Sequence, residues 1–333
     1  MMHISKRFSV LAGKVVLSAA PFALTSSLRS VALRGCVGAC LAAAGASPAW
    51  AQPGGSGPAS SVKVTFSHSA ESDADLLGIS AAGTIAVDAW SVSGKTTRVL
   101  RPGVFASVGA TWEQYSIDAP VTKPSTSLSS KLPVPEKLRG AALDLSGTMT
   151  LDAGWMVSLT VSPGFYSAGS SLGSDGFNVP GLLLGTRRIS PTLSIAVGLR
   201  FDGFSDNSLL PVAGLRWQPT PEWLVSVGAP RTEAVYTLRE GLKVFGGASL
   251  QGGGFAVDDR RLVSSGKISL RDTYVDYQEI RAGLGVRWDL NETLALEIEG
   301  GWIVDQRFDY YERSLEVTAG GAAFGHIALS TRF

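Results

Sequence analysis

Apolar and polar residues alternate along most of the chain beyond residue 60. Between Ile280 and Leu290 every even-numbered residue is apolar, whereas the odd-numbered residues are Arg, Gly or Asp. Successive side chains of a β-strand point to opposite faces, so this segment predicts a strand with one apolar face and one small or polar face. The same pattern occurs at 143–149, 155–162, 193–201, 294–302 and 323–333. Strands of about ten residues with this alternation are typical of β-barrels that span a membrane.

The pattern predicts fourteen strands. They are 61–68, 82–92, 97–117, 139–151, 154–166, 181–189, 192–202, 208–218, 222–229, 232–238, 242–252, 277–289, 293–307 and 323–333. We therefore expect an all-β fold, a single transmembrane antiparallel β-barrel. Three segments carry the weakest strand pattern, namely 61–68, 82–92 and 232–238, so a barrel of twelve strands is the alternative.

The links between the predicted strands alternate in length. Short links are predicted at 93–96, 152–153, 190–191, 219–221, 239–241 and 290–292. Longer links are predicted between them at 69–81, 118–138, 167–180, 203–207, 253–276 and 308–322, with 229–231 as a short exception. Outer-membrane barrels have short periplasmic turns and longer extracellular loops. The even strand number therefore places both termini on the periplasmic side.

Aromatic residues sort with the length of the nearest link. The tryptophans beside predicted short links are Trp90, Trp155, Trp217, Trp223 and Trp288. The tyrosines beside predicted long links are Tyr115, Tyr166, Tyr274, Tyr277, Tyr310 and Tyr311. Because aromatic side chains favour the two membrane interfaces, this sorting predicts two aromatic belts around the barrel.

The first 51 residues have the features of a cleaved signal peptide. Basic residues without any acidic residue precede a short apolar run that begins at Cys36, and Ala49-Trp50-Ala51 has the small-x-small pattern of a cleavage site. We expect three segments: a signal peptide at 1–51, a flexible periplasmic lead-in at 52–60 and the barrel at 61–333. Cleavage after Ala51 would remove both cysteines of the chain, Cys36 and Cys40.

The composition excludes several classes of function. Charged residues make up 17% of the chain and the formal net charge is +1, which does not fit a nucleic-acid-binding protein that acts through a basic surface. Two cysteines are too few for a disulfide-rich scaffold or a four-cysteine zinc site. No nucleic-acid partner is therefore expected.

The C-terminal residues carry a resemblance to Gram-negative outer-membrane proteins. Residues 323–333 form an alternating strand that ends in Phe333, and this resembles the terminal strand that the barrel-assembly machinery recognises; Thr331 stands where an aromatic residue is commoner. The segments 214–217 and 221–224 resemble an uncharacterised family of predicted outer-membrane barrels over residues 140–333. The resemblance implies location in the outer membrane, with its lipid and the assembly machinery as partners, and implies no known activity.

Charged residues on the predicted inward faces form the most organised candidate site. By strand parity they are Arg200, Arg281, Arg287, Glu297, Glu299, His326 and Arg332, with Asp289 and Asp305 alongside. They either line a path for solutes or form a structural ladder of salt bridges that fills the barrel. Matching the apolar faces across the 291–293 turn predicts that Arg287 lies opposite Glu297 and Gly283 opposite Gly301.

Candidates for catalysis and metal binding are weak. His68 lies near a predicted outer loop with the parity of the outward face, and Gly169–Gly173 matches G-x-S-x-G without the strand and helix that a nucleophile elbow requires. No histidine, cysteine or acidic cluster has the spacing of a metal site. We therefore predict no catalytic, cofactor-binding or metal-binding residue, and a protein that is not an enzyme.

The sequence favours a passive, porin-like channel for small solutes. A closed barrel that acts as a surface scaffold or adhesin is the first alternative, and an outer-membrane lipid hydrolase is the second. The named inward residues are often small, so something else must fill a barrel of this size. The segment 253–276 is the predicted plug, with the charged residues 258–261 pairing inside the lumen.

Overall fold

The structure is a computed structural model that describes residues 59–76, 79–122, 131–169, 172–263 and 268–333. The predicted signal peptide and nearly all of the predicted lead-in, through residue 58, lie outside the described residues. No helix in the described ranges is long and apolar enough to cross a membrane.

The described residues form eighteen β-segments. The first nine are β1 (Ala59–Ser69), β2 (Ser72–Leu76), β3 (Ile79–Arg101), β4 (Val104–Asp118), β5 (Lys137–Thr150), β6 (Trp155–Val161), β7 (Gly164–Ala168), β8 (Phe177–Asn178) and β9 (Gly181–Arg188). The others are β10 (Leu193–Phe201), β11 (Leu209–Trp217), β12 (Trp223–Gly228), β13 (Arg231–Arg239), β14 (Leu242–Val263), β15 (Ile268–Asp289), β16 (Leu294–Tyr310), β17 (Leu315–Ala319) and β18 (Ala322–Arg332). Short 3-10 turns occupy Asp152–Gly154, Ser174–Gly176 and Tyr311–Arg313.

These segments build a closed antiparallel barrel of fourteen strands, as predicted. Four of the strands consist of two consecutive segments each: β1 with β2, β6 with β7, β8 with β9, and β17 with β18. The barrel closes where the first strand pairs with the last, and Val64 lies opposite Leu329 in this pairing.

One predicted turn is wrong. The 93–96 link does not exist, because β3 continues through it and Ser93 and Thr96 pair with Thr111 and Val108 of β4. The turn lies instead at Pro102–Gly103, where Gly103 has a φ of +77°. Polar residues suggested a turn at 93–96, but every second residue of a barrel strand faces the interior, where polar side chains are normal.

Several of the predicted long links contain regular strand structure, three of them over several residues. The segment 253–276 is the distal part of a long hairpin made by β14 and β15, and β2, β3, β16 and β17 extend into 69–81 and 308–322. The barrel wall is therefore uneven in height. Strands β3, β14 and β15 have 22 or 23 residues, whereas β10 to β13 have six to nine.

The outer surface of the barrel is apolar. Exposed side chains on this face include Val64, Leu145, Leu159, Val197, Leu284, Ile298 and Leu329. The Leu284 side chain is 74% exposed. Such exposure of an apolar side chain is unfavourable in water and favourable in lipid. The parity that the sequence assigned to the outward face is correct at these positions.

Only the lower aromatic belt matches the prediction. Trp155, Trp217, Trp223 and Trp288 lie beside periplasmic turns, but Trp90 lies in the middle of β3, opposite Phe66 and Gln114. Tyr115, Tyr277 and Tyr310 are buried in the interior and form no belt. These tyrosines lie where the long strands extend past the apolar band. There they fill the interior of the barrel and do not face lipid.

Candidate functional site in the barrel lumen

The lower part of the lumen contains a layer of paired charges. Arg287 donates to Glu297 over 2.7 Å, as the predicted register requires, and Gly283 lies opposite Gly301. Arg287 also donates to Glu233 of β13 over 2.7 and 3.1 Å. Arg231 contacts Glu233 and Glu299, each over 2.8 Å. These five side chains link three strands of the barrel wall.

Both arginines of this layer also lie close to one aromatic ring. The guanidinium groups of Arg231 and Arg287 lie 4.7 and 4.3 Å from the ring centroid of Phe245. Sequence analysis found Arg287, Glu297 and Glu299 but missed Arg231, Glu233 and Phe245. The inward parity of β13 and β14 could have identified these three residues. In β13 this parity is hard to recognise because the alternation of apolar and polar residues is weak.

A second charged pair lies deeper in the lumen. Arg281 is 2% exposed and pairs with Glu279, which also accepts a 2.6 Å hydrogen bond from Tyr277. Gln306 donates to the same Glu279 carboxylate over 3.2 Å, and the Arg281 guanidinium lies 4.9 Å from the Phe324 ring. The side chains of this cluster come from several strands. They leave little space for solutes at this level of the lumen.

The remaining predicted lumen residues lie apart from these layers. Arg200 is buried at the upper end of β10 and pairs with Asp202 over 2.6 Å. His326 lies opposite Glu299 and Ser67, and Arg332 lies opposite Ser61 near the periplasmic end. A bulge at Val304 shifts the register of β16, so Asp305 lies opposite Ile280 on the outward parity and not in the predicted inward row.

An apolar cluster fills the barrel above the charged layers. Its members come from both sides of the barrel and include Ile85, Tyr115, Leu132, Phe255, Tyr277 and Phe308. The rings of Tyr115 and Tyr277 are 5.3 Å apart although their strands are separated by several others. The upper end of the described barrel is therefore sealed on this side by close-packed side chains.

The β14–β15 hairpin crosses the mouth of the barrel. Gly252 has a φ of +119°, and above it Gly252–Phe255 and Val275–Glu279 are buried on both faces. Ala256 forms a parallel bridge with Ser167 of β7, on the far side of the low strands β8 to β13. The segment 253–276 does occlude the lumen, but as a hairpin that packs through apolar residues.

Of the charged residues at the tip of this hairpin, Asp258 does not pair with a lumen residue as predicted. Asp258 lies 3.7 Å from Arg271 of the same hairpin, and both side chains are more than half exposed. The side chains of residues 259–261 lie outside the described part of the structure.

Loop 202–208 covers the low side of the barrel. The Phe204 ring stacks on Tyr274 with centroids 4.4 Å apart, and Ser205 donates to Asp276 over 3.2 Å. Asp202 accepts hydrogen bonds from Asn178 and from the backbone N–H of Phe204. The loop thus connects the top of β8 with the inward-leaning hairpin.

A small polar cavity of about 40 Å³ lies beneath this loop. Its lining includes Glu113, Asp144, Tyr166, Asn178, Asp202 and Gly252–Gly254. The Asp144 carboxylate accepts hydrogen bonds from Thr111 and Ser162 over 2.6 and 2.7 Å. Three carboxylates thus meet at one cavity between the barrel wall and the hairpin.

The catalytic and metal candidates gain no support from the geometry. The Nδ1 atom of His68 lies 2.7 Å from Asp88 on the exposed outer face, and the described hydrogen bonds include no serine on this histidine. Two residues of the Gly169–Gly173 motif, 170 and 171, lie outside the described residues. The part of the chain that the structure describes holds no group of three side chains suited to a metal ion.

The fold is similar to those of solved outer-membrane proteins, three of which follow. An outer membrane channel from Pseudomonas putida F1 is 11% identical, with a TM-score of 0.44, covering 83% of this chain and 95% of that one. A TodX monoaromatic hydrocarbon channel mutant is 8% identical, with a TM-score of 0.49 and coverage of 84% and 91%. The KdgM porin is 10% identical, with a TM-score of 0.32 and coverage of 81% and 99%.

No curated protein matches the sequence. A family model described as "Domain of unknown function (DUF6268)" matches residues 114–325, which is most of the barrel. This range includes β13 to β16, whose side chains form the charged layer, and it overlaps the region in which the sequence resembled an uncharacterised barrel family. The chain belongs to the DUF6268 family.

Proposed function

We propose that the protein is an outer-membrane channel for small solutes whose lumen is held closed at the extracellular end. The observation that carries the proposal is the contrast between the two ends of the lumen. The Arg231 and Arg287 side chains are 27% and 29% exposed inside the barrel, so water reaches the lower layer. Above it, an apolar cluster and a hairpin that bends at a glycine close the mouth.

The location in the outer membrane rests on the outer surface and on the C-terminus. The exposed apolar band fits lipid, and the strand that ends in Phe333, itself 72% exposed, fits recognition by the barrel-assembly machinery. In this proposal the protein interacts with small solutes and with outer-membrane lipid, and it catalyses no reaction.

Planar-bilayer recordings test the channel. Deleting residues 256–272 should raise the single-channel conductance, because the deletion removes the part of the hairpin that crosses the mouth. Deleting residues 123–130, in another extracellular connection, serves as the control and should have a smaller effect. Heat-modifiable gel mobility should show that each variant is folded. Absence of conductance from the full-length protein and from the 256–272 deletion would contradict the proposal.

The second candidate function is a closed surface scaffold. The high wall built by β3, β14 and β15 continues past the exposed apolar band and has its own buried apolar cluster. Such a rigid projection suits contact with another surface. Absence of conductance from a protein that is folded and displayed on cells would favour this function.

A further inference from the structure

The closure of the mouth differs between the two sides of the barrel. On the high side, the interior is filled by fully buried residues such as Leu132, Phe255 and Phe308. On the low side, the strands β10 to β13 end early, and loop 202–208 covers the gap by folding inward. Its contacts there include the Phe204–Tyr274 stack, the hydrogen bond from Ser205 to Asp276, and those of Asp202 with Asn178 and Arg200.

The polar cavity lies directly beneath this cover. Asp202 and Asn178, which hold the loop, are also part of the cavity wall, and so are Gly252–Gly254 at the bend of the hairpin. A Cβ atom on Gly254 would come within 2.6 Å of the Phe204 carbonyl oxygen, so the hairpin and the loop approach each other closely here. The cavity therefore lies at the junction of the two covers.

The described lining of the cavity includes three carboxyl groups and no basic side chain. Glu113 and Asp144 receive hydrogen bonds from the hydroxyls of Tyr115, Thr111 and Ser162, and the ion pairs of the described residues include neither carboxylate. Asp202 is paired with Arg200. In their ionised forms, two carboxylates without a basic partner would attract cations and repel anions.

We infer that solutes cross the extracellular end of the lumen through this cavity, beneath loop 202–208, and that the route selects small cations. The inference rests on the proposed channel function. The apolar cluster blocks the high side, whereas the low side offers polar walls and a cover made of a single loop. A volume of about 40 Å³ has room for about three water molecules, so displacement of loop 202–208 must widen the route during conduction.

Engineered cysteines test the route, since residues 52–333 contain no cysteine. Ala142→Cys places a thiol in the cavity wall, and Ala82→Cys places one in the apolar cluster as the matched control. A small cationic methanethiosulfonate should remove most of the full-length current through Ala142→Cys and leave that through Ala82→Cys unchanged. If modification at neither position changes the full-length current, the proposed route is wrong.

Two further outcomes separate the route from the channel function. Conductance seen only after deletion of residues 256–272 would overturn the cavity route, because solutes would then need the mouth itself, but it would leave the channel function intact. Conductance in neither form would overturn both.

The selectivity has its own measurement. In a KCl gradient, the full-length protein should give a reversal potential on the cation-selective side, and combined Glu113→Gln and Asp144→Asn should shift it toward zero. Asp152→Asn, in an exposed periplasmic turn, is the matched control and should leave the potential unchanged. An unchanged potential in the double variant would overturn the cation preference.

Discussion

Gly252 is the residue at which the β14–β15 hairpin turns into the barrel. Its φ of +119° lies in a region that residues with a Cβ atom rarely adopt, and an added Cβ would overlap the Tyr277 carbonyl oxygen. We expect Gly252→Ala to strain the bend by about 1–3 kcal/mol and to raise the conductance in planar bilayers. Gly253→Ala is the control, since its Cβ would meet only the Phe255 ring at 3.8 Å. Equal effects of the two substitutions would argue against this bend as the closing device.

Adjacent residues of one strand face lipid and lumen. Leu159 of β6 is 45% exposed on the apolar surface, whereas Ser158 has the opposite parity and lies opposite Thr148 of β5. Leu159→Arg should reduce the free energy of unfolding by about 2–4 kcal/mol, because it places a charge in the lipid. Ser158→Arg should cost less. Urea unfolding in lipid vesicles measures both, and an equal cost would disprove the assignment of faces.

At the scale of elements, the charged layer joins strands β13, β15 and β16. Glu233 contacts both Arg231 and Arg287, so Glu233→Ala leaves two arginines without one of their partners. We expect a loss of about 1–3 kcal/mol in the free energy of unfolding. Glu136→Ala removes an exposed partner of Lys131, where an ion pair contributes about 1 kcal/mol or less. A charged layer without structural value would give similar losses in the two variants.

Loop 202–208 should respond to pH through Asp276. This carboxyl lies above the apolar band, and burial raises its pKa to about 7 despite Gln278, Arg200 and Ser205, with Asp202 adding to the increase. Once the loop is displaced the pKa falls toward 3.8, so the closed loop binds the proton more tightly.

Closure of this loop should therefore weaken as the pH rises from about 4 to about 7, and change little above that range. Hydrogen exchange at the Phe204 amide, corrected for the intrinsic pH dependence, measures this. Asp276→Asn should remove the dependence, because it replaces the titrating group. A dependence that survives this substitution would assign it to another group.

The register of β15 and β16 could be predicted, and the height of the strands could not. Period-two alternation identifies which face each residue occupies, and matching apolar faces across a short turn then sets Arg287 opposite Glu297. Alternation continues unchanged from the apolar band into the extension above it. Tyr115 and Tyr277 therefore read as interface residues, although they pack against each other inside the barrel.

At the scale of the whole molecule, the strand count and the closure followed from local pattern, whereas the bend of the hairpin did not. Contacts such as Ala256 with Ser167 join segments far apart in sequence, and no periodicity indicates which strands meet across a lumen. Gly252–Gly254 was visible in the sequence. The role of this glycine segment in the bend depends on the low wall on the opposite side of the barrel. Five other strands form that wall.

The orientation of the barrel gives the last prediction. An even number of strands and the six periplasmic turns place Ser314 outside the cell and Glu292 in the periplasm, and both positions are exposed. On intact cells, a membrane-impermeant maleimide should label Ser314→Cys and should reach Glu292→Cys only after the outer membrane is permeabilised. Both cysteines of the chain lie before residue 52, so the predicted cleavage after Ala51 would leave no competing thiol. If only Glu292→Cys were labelled on intact cells, the barrel would have the opposite orientation. The hairpin would then close the periplasmic end of the lumen.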